Sequence, residues 1–97
     1  MTDTRHVRIQ CKISRGGFSG EKVFRMQLAD GTEHVGAAPT AYCYDAQGRP
    51  LGAGGPPAPV AGLLTARIIE RYEDGTCLVS VPSGEVLRVR ALEFRPA

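Results

Sequence analysis

The sequence predicts an all-β domain, a small, strongly curved antiparallel β-barrel of five to six strands. Three observations carry this prediction. Apolar and polar residues alternate with period two over most of the chain, which is the signature of strands with one packed and one wet face. Glycine-bearing turns, Asp30-Gly31, Asp74-Gly75 and Ser83-Gly84, separate the alternating runs, and such dipeptides suit hairpins because glycine adopts left-handed backbone angles without steric cost. No stretch of ordinary helix length carries the 3.6-residue apolar period. Closing the sheet on itself removes the edges that a flat sheet leaves open.

The elements follow in order. In residues 6–13, Val7, Ile9, Cys11 and Ile13 point one way, and His6, Arg8, Gln10 and Lys12 the other. Residues 14–20 hold three glycines in five positions, Gly16, Gly17 and Gly20, and read as a hairpin tip or wide loop. A second strand over residues 22–28 places Phe24, Met26 and Leu28 inward and Val23, Arg25 and Gln27 outward. After Asp30-Gly31, residues 32–37 form a third, short strand, weakened at its end by Gly36 and Pro39. Residues 40–45 are too short for periodicity to decide between an extended segment and a single helical turn. Residues 46–62 carry five glycines and four prolines in 17 positions, which predicts a long Gly/Pro-rich surface loop with polyproline II character around Pro56-Pro57-Ala58-Pro59. Residues 63–94 then read as three antiparallel strands joined by two tight turns. Cys77, Val79 and Val81 share one face there, and Leu87, Val89 and Ala91 alternate with Arg88 and Arg90. The predicted inner positions are Val7, Ile9, Cys11, Ile13, Phe24, Met26, Leu28, Leu64, Ala66, Ile68, Val79, Val81, Leu87, Val89, Leu92 and Phe94.

At 97 residues the chain has room for one domain, residues 1–97, with the Gly/Pro-rich loop between two β halves too small to build separate cores. A composition of 42% hydrophobic and 23% charged residues predicts a folded rather than a disordered chain. The net charge of +2 neither demands nor forbids a polyanionic partner. No apolar run has signal-peptide or membrane-spanning length, so the expectation is a cytoplasmic protein without membrane contact. Three widely spaced cysteines, Cys11, Cys43 and Cys77, are not a disulfide framework. Cys11 and Cys77 fall on apolar strand faces, where cysteine acts as a small hydrophobe.

From residue 62 onward the order of parts resembles SH3-like small barrels. Residues 62–73, 76–82 and 85–91 match the central strands, and Ala91, Leu92, Glu93 and Phe94 match the closing helical turn and last strand. The resemblance is one of pattern. It implies a fold, and because the acidic and aromatic cluster that holds proline-rich peptides is not identifiable here, it carries over no ligand.

Catalytic and metal chemistry find little support. His6, His34, Cys11, Cys43 and Cys77 are the candidate metal ligands, but none stands at a ligand-pair spacing. Cys43 with His34 offers a thiol and a base with nothing in the sequence to bring them together. The glycines at 16–20 lack the lysine and hydroxyl of a phosphate-binding loop. The expectation is a protein without catalytic residues, metal or cofactor. Two binding surfaces remain. Phe18, Tyr42, Tyr44, Ile69 and Leu78 are candidate partner-binding residues, with Val23 joining Ile69 and Leu78 if the three are neighbours. Arg8, Lys12, Arg25, Arg67, Arg71, Arg88 and Arg90 form a candidate nucleic-acid face on the outward side of the strands, with Phe18, Tyr42, Tyr44 and Tyr72 available for stacking. The sequence therefore predicts a non-catalytic binding module, a protein–protein interaction domain or small subunit of a larger assembly. Its alternative is single-strand DNA or RNA binding through the arginines.

Overall fold

The alternation written in the sequence becomes one curled antiparallel sheet. The computed structural model describes residues 5–18 and 20–96; Ser19, in the glycine-rich loop, lies outside the described residues, as do residues 1–4 and 97. The strands are β1 (His6–Arg15), β2 (Glu21–Gln27), β3 (Glu33–Pro39), β4 (Cys43–Asp45), β5 (Val60–Arg71), β6 (Thr76–Ser80), β7 (Val86–Arg90) and β8 (Phe94–Pro96). Their spatial order is β3-β2-β1-β5-β6-β7, with β4 added to β5 and β8 added to β1. Two short 3₁₀ turns, Thr40–Tyr42 and Ala91–Glu93, precede β4 and β8.

Two long strands make the curl. β1 pairs with β5 along residues 6–13, while its other edge takes β8 at residues 7–9 and β2 at residues 12–15. β5 likewise changes partners, from β4 at residues 62–64 to β6 at residues 67–71. Where β5 passes between β1 and β4, a β-carbon on Gly62 would sit 2.8 Å from both the Tyr44 carbonyl oxygen and Ile13 Cδ1, so only glycine fits. The two ends of the sheet meet. The Ala29 N–H donates to the Arg88 carbonyl at 2.9 Å, and Arg90 Nη2 donates to Gln27 Oε1 at 3.4 Å. His34 Nε2 also lies 2.7 Å from Glu85 Oε2, without the alignment of a hydrogen bond, so this is a charge contact when the imidazole is protonated.

Four turns share one design, at residues 28–32, 45–49, 72–76 and 81–85. In each the first residue's N–H donates to the fifth residue's carbonyl, and the fourth residue, a glycine, donates back to the first. Gly31, Gly48, Gly75 and Gly84 have φ of +89°, +84°, +87° and +91°, the left-handed angle that this three-residue hairpin loop requires. The turn at 45–49, with Tyr44 bridged to Pro50, folds the start of the Gly/Pro-rich segment, and β5 begins at Val60. The irregular part is thus residues 51–59, shorter than composition suggests, because Asp45 Oδ1 accepts from the Gln47 and Arg49 amides and Gly48 completes the hairpin. Residues 40–45 take both forms left open by the sequence, a 3₁₀ turn and then a strand.

In two of these turns the tripeptide Asp-Gly-Thr makes the same bonds. The Thr32 amide and hydroxyl donate to Asp30 Oδ1 at 2.9 and 2.6 Å, and those of Thr76 to Asp74 Oδ1 at 3.0 and 2.6 Å. The threonine hydroxyls and then the amides hold both carboxyls below the ordinary aspartate value. A depressed folded-state value gives stability that is present above the unfolded value and lost as pH falls through the folded one. Stability should therefore decline below about pH 4. Asp30→Asn and Asp74→Asn should flatten that acid limb in urea titrations; an unchanged pH slope would contradict the assignment.

The core is built from Ile9, Ile13, Phe24, Met26, Leu64, Val79 and Val89, all fully buried, with Ala38, Cys43 and Cys77 completing it. Leu92, read as an inner position, is 66% exposed because the 3₁₀ turn at Ala91–Glu93 ends the alternation. Lys22, which shares its strand face with Phe24 and Met26, is 0% exposed.

Candidate binding groove

The arginine face does not form a free positive stripe. Arg25 Nη1 lies 3.3 Å from Glu33 Oε1, Arg88 Nη2 2.9 Å from Asp74 Oδ2, and Arg90 Nη2 3.1 Å from Glu93 Oε1. The Arg88 guanidinium also covers the Tyr72 ring at 4.2 Å. Arg8 lies 3.7 Å over the Tyr44 ring and donates to the Gly48 carbonyl. Arg71 leaves the face altogether. The β5–β6 register slips between Ile68 and Glu70, so Ile69 is an extra residue and Arg71 stands opposite the core-facing Cys77, whereas Arg67 stands opposite the outward Ser80. Lys12 and Arg67 make no ion pair among the described residues. Lys12 pairs with Ala61, six residues before Arg67 along β5, which separates the two cations by about 20 Å.

The five candidate partner-binding residues also separate. Phe18 lines a shallow concavity with Ala37 and Pro39. Tyr44 is covered by Arg8. Ile69, 51% exposed at the bulge, neighbours Leu78, but Val23 lies on β2, separated from Ile69 by β1 and from Leu78 by β1 and β5. Tyr42 stands apart from all of these.

Tyr42 belongs to a groove assembled by register. His6 pairs with Arg67 across β1 and β5, and Arg67 pairs with Ser80 across β5 and β6. The three side chains therefore form a row on three adjacent strands, about 5 Å from one to the next. Tyr42, 46% exposed on its 3₁₀ turn, lines the same concavity as Val81 and Pro82, at the start of the 81–85 turn. Thr65 and Ala66 complete a concavity of about 210 Å³. Among the described residues its lining holds two basic side chains, three hydroxyls and no carboxylate. Tyr42 and Arg67 are legible in the sequence, Tyr42 as a partner-binding or stacking aromatic and Arg67 as part of the arginine face. His6 appears there only as a possible metal ligand, and Ser80 and Pro82 carry no signal, because only the strand register makes these residues neighbours.

The segment over residues 51–59 is fastened rather than loose. Lys22 Nζ donates to the Gly52 carbonyl at 2.9 Å and to Thr40 Oγ1 at 3.0 Å. Arg15 donates from Nε to the Gly55 carbonyl at 3.3 Å and from its amide to the Pro56 carbonyl at 2.8 Å. Two barrel cations thus end on glycine carbonyls of this strap, and Arg8 ends on the Gly48 carbonyl of the turn just before it. Among the described residues Lys22 is buried without a carboxylate partner; the Gly52 carbonyl and the Thr40 hydroxyl accept from its ammonium instead.

Cys43 and His34 have different surroundings. Burial pushes the Cys43 thiol up to about 11, against the lowering effect of Lys22, and its Sγ donates to the Pro39 carbonyl at 3.6 Å. Burial, and then Cys43, push the Cys11 thiol up to about 12. Both remain thiols at neutral pH, and the thiolate is the nucleophile. His34 meets Glu85 and the Phe24 ring. Among the described residues, no three His, Cys, Asp or Glu side chains are grouped to hold a metal ion, and no helix is long and apolar enough to cross a membrane. No family model, curated protein or solved structure matches this chain.

Proposed function

We propose that this protein is a non-catalytic, cytoplasmic binding module that holds a segment of a partner protein, as an interaction domain or small subunit of a larger assembly. The observation that carries this reading is the Tyr42–Arg67–Pro82 groove, a concavity with an exposed aromatic wall, a proline wall and a cation without a carboxylate partner among the described residues. Aromatic and arginine side chains around a pocket are the usual anchors of protein interfaces. Its size suits one or two side chains of a polypeptide and falls below the 300 Å³ or so typical of cofactor pockets.

We further propose that the barrel is SH3-like, with β1, β5, β6, β7, the 3₁₀ turn and β8 as its five-stranded frame and β2–β4 as an elaboration between the first two strands. The return of β8 to β1 supports this reading. The nucleic-acid alternative has less support, because Arg25, Arg88 and Arg90 each face a carboxylate and Arg71 is turned away.

The test is affinity capture from the native host with three forms of the protein. Wild type and Ile69→Asp should retain the same partner, whereas Tyr42→Ala with Arg67→Ala should lose it. Recovery of wild type only as a free monomer would overturn the reading, as would equal capture by the double variant.

A further inference from the structure

The groove's chemistry selects among segments of protein, and this inference rests on the reading of the groove as a partner site. We propose that it takes an acidic segment, in which one side-chain carboxylate sits on Arg67 between His6 and Ser80 and an adjacent proline or apolar residue packs against Tyr42 and Pro82.

Arg67 differs from the other outward-facing arginines of the central strands. Arg25, Arg88 and Arg90 each have a carboxylate of this chain within 3.3 Å, and Arg8 is stacked on a tyrosine ring. Arg67 stands in direct register between His6 and Ser80 with no ion pair among the described residues, and no acidic side chain of the described residues lines the groove. A guanidinium offers a planar fork that matches a carboxylate with two parallel hydrogen bonds. The hydroxyls of Ser80, Thr65 and Tyr42 supply further donors around that position. The walls are a tyrosine ring and a pyrrolidine ring, flat apolar surfaces against which a proline or aliphatic side chain packs without ordering a flexible one. A nucleic-acid strand presents a phosphate at every step and needs a run of cations. Here the arginines on β7, beyond β6, are already matched to Asp74 and Glu93. Charge complementarity thus favours one carboxylate at one place.

The experiment is amide chemical-shift titration of the full chain with N-acetylated hexapeptides that pair one glutamate with a proline or leucine, against the same peptides with glutamine in place of glutamate. The glutamate peptides should shift the amides of Arg67, Ser80 and Val81. The glutamine peptides should bind at least about tenfold more weakly, the difference a lost charge-assisted hydrogen bond makes. Arg67→Gln should erase that preference with the spectrum otherwise intact, and Lys12→Gln should leave it unchanged. Equal binding of both peptide sets, or binding by neither, overturns the inference. If the double variant still loses its partner in affinity capture, the groove reading survives that result. An oligothymidylate that shifts the same amides, with a steeper loss on raising salt than the glutamate peptides show, overturns the inference in favour of phosphate.

Discussion

Replacing Lys22 by alanine should lower the urea midpoint by the equivalent of about 2–5 kcal/mol, the range for emptying a buried long side chain. The stem packs beneath the strap so closely that a β-carbon on Gly55 would lie 3.1 Å from Lys22 Cε. Alanine leaves a void there and orphans the Gly52 carbonyl and the Thr40 hydroxyl from this ammonium. Lys22→Met separates packing from charge. It keeps most of the volume and removes both the hydrogen bonds and the cost of burying a cation, so global stability should stay within about 1.5 kcal/mol of wild type. The strap should loosen all the same. The amides of Arg15 and Leu51, which donate to the Pro56 and Cys43 carbonyls, should exchange faster in Lys22→Met. A loss as large with methionine as with alanine would mean that the ammonium contacts, and not the packing, dominate.

Phe24→Ala should cost about 3–5 kcal/mol, because the ring is fully buried at the centre of the core. Its fit depends on Gly36, directly opposite across β2 and β3. A β-carbon at Gly36 would stand 2.7 Å from Phe24 Cζ and 2.9 Å from Cε1, closer than carbon atoms approach. Gly36→Ala should therefore cost about 1–3 kcal/mol in the wild-type background. In the Phe24→Ala background the space is vacant, and alanine loses less backbone entropy than glycine on folding, so the same substitution should be neutral or stabilising. The double-mutant cycle should show a coupling of at least about 1 kcal/mol. Additive effects would contradict the contact.

Period two was enough to read the strands around Ile9, Phe24, Val79 and Val89, and the Asp-Gly and Ser-Gly dipeptides marked three of the four matching turns. Where the chain departs from strict alternation, the reading departs with it. The bulge at Ile69 reverses the side of Arg71, and the 3₁₀ turn at Ala91–Glu93 brings Leu92 to the surface. The fourth turn, at 45–49, is hidden by a composition rich in glycine and proline, although Asp45 and Gly48 hold the same places as Leu28 and Gly31 in theirs. Lys22 obeys period two, yet charge argues against an inner position until the oxygens of Gly52 and Thr40 are seen beneath the strap. The groove was the least legible part. His6 and Arg67 become neighbours through strand pairing alone, and pairing between distant strands is encoded in the whole sheet rather than in any local motif.

Amide exchange measured with the protein free and bound to the partner it captures would locate the contact directly. The groove account predicts slowed exchange at residues 42, 65–67 and 80–81, with the outward faces of β6 and β7 near Leu78 and Arg88 unchanged. Protection concentrated at residues 76–78 and 86–90, with the groove unaltered, would contradict it.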